Sequence, residues 1–137
     1  MPVRLLNSPV MVWPDREQVD AAARRFAAAA APRVPELVRL GYFGSYARGD
    51  YGVGSDLDLV AVVAQSARAF VERGCEWDLT SLPVPAEILV YIESEWAVLM
   101  ATGGRMARAL AEETVWLYPA AEVPSPQGGT TPALLRE

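Results

Sequence analysis

Residues 56–64, DLDLVAVVA, restrict the fold more than any other part of the chain. The second half of this segment is continuously apolar and rich in valine, a composition typical of a β-strand that is buried on both faces. Two aspartates stand at its beginning, where such a strand enters the core. The segment therefore predicts a buried strand with acidic side chains at one end.

Patterns typical of helices and strands also occur along the rest of the chain. The helix predicted over 15–31 is rich in alanine, follows Pro14 and ends before Pro32, and it places Val19 and Phe26 on its inward side. The other predicted elements are a strand over Leu37–Phe43, a short helix over 65–74, a strand over Ala86–Ile92, a helix over 93–113 broken near Gly103 and Gly104, and a last strand in TVWLYP. Apolar residues recur at helical spacing in the last helix, at Trp96, Leu99, Met100, Met106 and Leu110. This mixture predicts an α+β fold with a mixed sheet of the α/β type.

The length and the terminal composition favour one folded domain followed by a tail. A chain of 137 residues with 52% apolar content can bury one core without disulfides. We assign residues 1–118 to the domain, and residues 119–137, which are rich in proline, glycine, serine and threonine, to a flexible tail. With one cysteine and no apolar stretch of signal-peptide or membrane-spanning length, the sequence predicts a cytoplasmic protein that does not contact a membrane.

Histidine and lysine are both absent, and their absence excludes several kinds of active site. All 12 basic residues are arginine. A Ser-His-Asp or Cys-His nucleophile therefore lacks its base, a zinc site has only one soft ligand, and neither a Schiff base nor a P-loop lysine can form. Carboxylate chemistry with a hard metal ion remains. The net charge of −5 also argues against nucleic acid as a partner, because such binding depends on clustered cationic side chains.

A phosphate-binding turn is predicted ahead of the buried strand, at Gly44 and Ser45. Glycine lets the backbone approach an anion closely, and the serine hydroxyl and the amides of a following helix N-terminus can face phosphate oxygens. Ser45 also suits the N-cap of that helix. Arg48 is near enough in sequence to neutralise phosphate charge. Farther along, Asp56 and Asp58 point to the same side of an extended strand, where a hard cation such as magnesium would relieve their repulsion.

The spacing of these residues resembles the signature of the nucleotidyltransferases of the DNA-polymerase-beta superfamily, which is Gly-Ser, ten residues and then Asp-x-Asp. Within that superfamily the chain looks like the minimal nucleotidyltransferases, which consist of one small domain. The resemblance implies a central mixed β-sheet flanked by helices, with a third carboxylate on a later strand. Glu87 matches that position, where aspartate is commoner in the family, and Asp78, Glu93 and Glu95 are the alternatives.

The resemblance also implies a reaction and a role for each site residue. Two Mg²⁺ ions would be held by three catalytic carboxylates, Asp56, Asp58 and Glu87. The nucleotide would be bound by Gly44, Ser45 and Arg48. The ions would polarise the α-phosphorus of ATP, lower the pKa of an incoming hydroxyl and balance the charge of the leaving pyrophosphate. The product would be a nucleotidyl ester.

Minimal nucleotidyltransferases of this kind are commonly paired with a small helical HEPN protein. The resemblance therefore implies an antitoxin that transfers AMP to a tyrosine of its RNase toxin partner. Two alternatives stay open. The acceptor can instead be a small molecule of the aminoglycoside type, with a homo-oligomer building the pocket, or the chain can be a catalytically silent module that binds nucleotide or toxin.

Overall fold

A four-stranded mixed sheet forms the centre of the molecule. The computed structural model describes residues 13–120, and most of the predicted tail lies outside this range. The strands are β1 (Leu37–Phe43), β2 (Leu57–Val63), β3 (Ala86–Ile92) and β4 (Val115–Tyr118). They lie in the order β3-β2-β1-β4, with β3 parallel to β2, and with β2 and β4 both antiparallel to β1. The predicted α+β fold with a mixed sheet is confirmed.

Five α-helices lie within residues 13–120, one before the first strand and the other four between strands. They are α1 (Arg16–Ala30), α2 (Ser45–Arg48), α3 (Phe70–Arg73), α4 (Glu93–Thr102) and α5 (Arg105–Glu113), and short 3₁₀ turns follow α1 and α3 at Ala31–Arg33 and Gly74–Glu76. A capping box between Asp15 and Gln18 begins α1. The predicted break between the last two helices is confirmed, because Gly103 and Gly104 both have positive φ.

The two faces of β2 are both buried, as its composition predicts. Leu57 and Leu59 are fully buried against α1, and Val60 and Val62 are buried on the other face. The strand is one residue shorter at each end than the predicted segment 56–64, so Asp56 lies just before it. Among residues 13–120, no helix is both long enough and apolar enough to cross a membrane.

The main core lies between α1 and one face of the sheet. Val19 and Phe26, the residues predicted to point inward, are both buried there. The Tyr42 hydroxyl of β1 donates a hydrogen bond of 2.7 Å to Asp20 Oδ1 of α1. Burial, together with this carboxylate, raises the pKa of Tyr42 to about 12. The phenol therefore stays protonated and holds α1 to the sheet.

The opposite face of the sheet is covered by α4 and α5. Ala107 and Leu110 of α5 are buried. Met106, predicted from its helical spacing to be part of the same apolar face, is instead 45% exposed, and no residue of α4 is fully buried. Residues 96–100 of α4 are apolar around the whole helix, whereas the sheet can cover only one side. Met106 lies on α5, in its first turn after the break at Gly104.

Close approach of β4 to β1 depends on a glycine. A methyl group added to Gly41 would lie 2.6 Å from the carbonyl oxygen of Val115 and 2.9 Å from Cε3 of Trp116. Both distances are too short for van der Waals contact, so a side chain at this position would force β4 away from β1. The edge of the sheet therefore requires glycine at position 41.

The substitution Gly41→Ala is expected to lower the free energy of unfolding by about 1–3 kcal/mol, because overpacking displaces β4. Chemical denaturation measures this loss. Gly52→Ala is the matched control, since no described residue lies within 4 Å of a methyl group added there. Equal effects of the two substitutions would contradict the packing argument.

Candidate active site

Three carboxylates lie near one end of the sheet. Asp58 of β2 is paired in register with Glu87 of β3. In a parallel pair, residues in register point to the same face, so these two side chains lie next to each other. Asp56 precedes the strand by one residue, and like Glu87 it is exposed, whereas Asp58 is half-buried. The pairing of β2 with β3 thus brings Asp58 and Glu87 together, with Asp56 two residues before Asp58.

The charges of this cluster are not balanced. Burial raises the pKa of Asp58, and the negative charges of Glu87 and Asp56 raise it further, while Arg48 acts in the opposite direction. The carboxylates are therefore close enough to repel one another. Uncompensated negative charge on oxygen donors is the environment that a hard divalent cation stabilises.

The side chains do not form a closed metal site as they stand. Within the described part of the chain, no three acidic, thiol or imidazole groups converge closely enough to hold a metal ion. Asp56 and Glu87 are exposed and free to change rotamer, since neither is paired with a cation among residues 13–120. The donor type and the charge of the cluster fit magnesium.

Gly44 lies directly against Asp58. It follows β1, whose last residue, Phe43, is paired with Asp58 across the antiparallel strands. A methyl group added to Gly44 would lie 2.4 Å from Asp58 Oδ2. The backbone of Gly44 also has φ 82° and ψ −153°, a region open essentially to glycine alone. Glycine is therefore required here by conformation and by contact with the carboxylate.

The turn after Gly44 leads into the four-residue helix α2. Gly44 occupies the N-cap and Ser45 is the first helical residue, so the interpretation of Ser45 as the N-cap is wrong by one position. The Ser45 hydroxyl makes no hydrogen bond to another residue within 13–120. It stays available to a ligand at the start of the helix, close to the carboxylates.

Arg48 ends α2 and is held by two carboxylates. Its Nε donates to Asp50 Oδ2 at 3.1 Å, and its Nη1 donates to Glu113 Oε1 at 3.2 Å. Glu113 is the last residue of α5 and lies 65 positions away in the sequence, so the sequence gives no signal of this contact. The guanidinium is exposed and near enough to Asp58 to lower its pKa.

An aromatic layer supports α2 from below. Tyr46 is fully buried and stacks on Tyr51 with ring centroids 4.5 Å apart. Trp13 Nε1 donates to the Tyr46 hydroxyl at 2.9 Å, and the Arg16 backbone amide donates to the Tyr51 hydroxyl at 3.0 Å. These contacts fix the Gly-Ser turn to the start of α1. The sequence gives no signal of these contacts.

The alternative third carboxylates are not placed beside Asp58. Asp78 accepts hydrogen bonds from the backbone and the hydroxyl of Thr80. Glu95 is bound to Arg73. Glu93 begins α4, at the opposite end of β3 from Glu87. The register of β2 with β3 therefore favours Glu87 over all three as the third carboxylate.

The fold and the acidic site together define a domain of the nucleotidyltransferase class. The family of nucleotidyltransferase domains matches residues 24–117 of the chain, from α1 to β4. The chain belongs to this family. No sequence among curated proteins matches it significantly.

Two solved structures share this fold. One is a candidate nucleotidyltransferase from Sulfolobus solfataricus, which has 20% sequence identity and a TM-score of 0.53, with 74% of this chain and 80% of that chain covered. The other is a toxin–antitoxin structure with AMP-PNP, which has 15% identity and a TM-score of 0.50, with 69% of this chain and 72% of that chain covered. At these identities the likeness concerns the fold.

The repulsion at the site predicts that Asp58→Asn raises the melting temperature. At neutral pH without divalent metal, we expect an increase of roughly 1–4 °C, because the amide removes a half-buried charge. The folded-state pKa of Asp58 lies above its unfolded value. Its ionisation therefore destabilises the folded protein above that pKa, and the difference between variant and wild type should disappear below about pH 4. Calorimetry across this range measures it.

The effect of Mg²⁺ on the melting temperature tests the same repulsion. Millimolar Mg²⁺ should raise the melting temperature of the wild-type protein more than that of the variant, because the cation binds the ionised carboxylates. A variant that melts below the wild type at neutral pH would show instead that ionised Asp58 stabilises the fold.

The contact between Gly44 and Asp58 predicts a second pair of variants. Gly44→Ala and Gly103→Ala should each cost about 1–3 kcal/mol of stability, because Gly103 has nearly the same backbone angles, φ 78° and ψ −155°. No described residue lies within 4 Å of a methyl group added to Gly103. Only Gly44→Ala should therefore abolish the Mg²⁺-dependent rise in melting temperature. The same Mg²⁺ response in both variants would show that Gly44 does not contribute to the metal site.

Proposed function

We propose that this chain transfers AMP from ATP to a hydroxyl group of a partner protein. The observation that carries this proposal is the pairing of Asp58 with Glu87, with the Gly44 backbone packed against the same carboxylate. The pairing collects carboxylates from two strands beside a turn suited to phosphate. Membership of the nucleotidyltransferase domain family gives the reaction class.

Each site residue has a task in this reaction. Asp56, Asp58 and Glu87 hold Mg²⁺, which when bound neutralises the triphosphate and polarises its α-phosphorus. Gly44 leaves the backbone open to the phosphates, and the Ser45 hydroxyl donates to a phosphate oxygen. The exposed guanidinium of Arg48 can pair with the triphosphate, since guanidinium groups bind phosphate through charge-assisted hydrogen bonds.

The transfer exchanges a phosphoanhydride bond of ATP for a phosphoester bond to the acceptor. The acceptor oxygen bonds to the α-phosphorus, the bond from that phosphorus to the bridging oxygen breaks, and pyrophosphate leaves. The hydroxyl proton passes to a carboxylate of the site.

A protein acceptor is favoured over a small molecule. Asp56 and Glu87 are exposed, so a segment of another protein can reach them. The toxin–antitoxin structure that shares this fold contains AMP-PNP, an analogue of ATP. We therefore propose that the acceptor is a tyrosine of a helical HEPN toxin and that this chain is its antitoxin.

Labelling an extract of the protein's own cells tests this function. With ATP labelled at the α-phosphate and Mg²⁺, the wild-type chain should label one partner protein. Asp56→Asn and Asp58→Asn should each reduce labelling by at least ~100-fold, because they remove oxygen ligands of the ion. Asp78→Asn is the matched control, since Asp78 is bound to Thr80 away from the site, and it should label as the wild type does.

The outcomes separate the alternatives. Labelling that Asp58→Asn leaves unchanged would contradict the assigned site. No labelled protein, together with pyrophosphate release in the presence of hydroxyl-bearing drugs or metabolites, would identify a small-molecule acceptor. If neither labelled protein nor pyrophosphate is formed, and wild type and Asp58→Asn neutralise the toxin equally, the chain is a catalytically silent binding module.

A further inference from the structure

A cavity lies at the end of the sheet opposite the acidic site. It has a volume of about 620 Å³, which is in the range of small-molecule sites, and it opens between α1 and the segment 73–81. Val63, the last residue of β2, lines the cavity. Asp58 lies five residues earlier in the same strand, about 17 Å away. The cavity is therefore separate from the proposed active site.

One face of α1 forms a wall of this cavity. The lining residues of the helix and of the 3₁₀ turn that follows it recur at intervals of three and four positions, so they share one face. They are Ala22, Arg25, Phe26, Ala29, Ala30 and Arg33. Phe26 packs against Trp77 of the opposite wall with ring centroids 6.1 Å apart, and Val63 and Val90 lie beside them. An apolar group of a ligand therefore has an aromatic and aliphatic surface to pack on.

Two of the charged side chains that line the cavity are neutralised by ion pairs. The buried Arg73 guanidinium binds both carboxylate oxygens of Glu95, at 2.6 and 3.1 Å. Glu76 forms an ion pair with Arg68. Neither Arg73 nor Glu76 therefore needs a charge on a ligand.

Asp78 and Arg33 also line the cavity and compensate each other. The hydroxyl and the backbone amide of Thr80 donate to Asp78 Oδ1, at 2.6 and 3.0 Å. These hydrogen bonds, and to a smaller extent the positive charge of Arg33, lower the pKa of Asp78. The carboxylate is therefore ionised and close enough to Arg33 to balance its charge.

Two lining charges of opposite sign remain, Arg25 and Glu36. Neither forms an ion pair with another residue of the described part of the chain. The neighbouring Arg24 is bound to Asp20 at 2.7 Å, whereas the residues three and four positions from Arg25 on either side are all alanine. The backbone oxygen of Glu36 accepts from the amide of Ala64 at 2.8 Å, which fixes Glu36 at the end of the sheet. The cavity thus presents one guanidinium and one carboxylate to a ligand.

We propose that this cavity binds a free amino acid with a large apolar side chain, its carboxylate at Arg25 and its ammonium group at Glu36. The apolar side chain packs on Phe26 and Trp77. A ligand with only one charge would leave Arg25 or Glu36 without a partner, whereas a free amino acid carries both charges a few ångströms apart. This binding does not rest on the proposed function.

Three related compounds test the charge requirement. L-Phenylalanine is the probe, N-acetyl-L-phenylalanine keeps only the carboxylate, and L-phenylalanine amide keeps only the ammonium group. Ligand-observed NMR titrations with the full chain measure the three affinities. L-Phenylalanine should bind at least ~5-fold more tightly than either analogue, because each analogue lacks one charge-assisted contact.

Substitution of the two charged residues assigns each contact. Arg25→Gln should weaken binding of L-phenylalanine at least ~5-fold and leave the affinity for L-phenylalanine amide within ~2-fold of wild type. Glu36→Gln should weaken L-phenylalanine by the same factor and leave N-acetyl-L-phenylalanine unchanged. Arg24→Gln is the matched control, since Arg24 lies next to Arg25 but outside the cavity, and it should bind L-phenylalanine within ~2-fold of wild type.

Two further measurements complete the test. Thermal unfolding verifies that the variants, all at exposed positions or half-buried at Asp58, are folded. Asp58→Asn should bind L-phenylalanine as the wild type does, because Asp58 lies at the other end of β2. Failure of the labelling experiment and failure of this proposal are therefore distinguishable.

Three results would overturn the proposal. The first is the absence of L-phenylalanine binding to the wild-type chain. The second is an analogue that binds as tightly as L-phenylalanine, which would assign the cavity to an organic anion or an amine instead. The third is equal weakening of L-phenylalanine binding by Arg25→Gln and Arg24→Gln.

Discussion

The contact between the Gly44 backbone and the Asp58 carboxylate organises the whole site. It exists because β1 and β2 are antiparallel neighbours, which brings the turn after β1 beside the beginning of β2. The parallel register of β2 with β3 sets Asp58 beside Glu87. Every proposed role in phosphate and metal binding depends on this junction, so a shift of one residue would point the carboxylates into the α1 core.

Charge is distributed differently at the two ends of β3. At the acidic site, like charges are held together and the pKa of Asp58 is raised, which stores an unfavourable interaction that a cation can relieve. Near the other end, Arg73 and Glu95 neutralise each other. The first arrangement favours a charged ligand, whereas the second joins α3 and α4 to the edge strand.

Much of the fold follows from local patterns. Leu37–Phe43 and Ala86–Ile92 are strands with the predicted bounds, because apolar runs between turn residues constrain the chain locally. The break at Gly103 was equally visible in the sequence. Met106 was misjudged, since helical spacing does not say whether a neighbour exists to cover an apolar side. The Arg48–Glu113 pair had no signal, because its members are 65 residues apart.

The sequence by itself determined the chemistry that is available: carboxylates and arginines without histidine or lysine, arranged as Gly-Ser and Asp-x-Asp beside a buried strand. Those are properties of composition and of short spacings, which a chain carries before it folds. Only the tertiary structure decided that Glu87 rather than Asp78 lies beside Asp58, and that α4 is left partly uncovered. The register of strands and the burial of a helix surface depend on contacts between distant residues, and no local pattern encodes them.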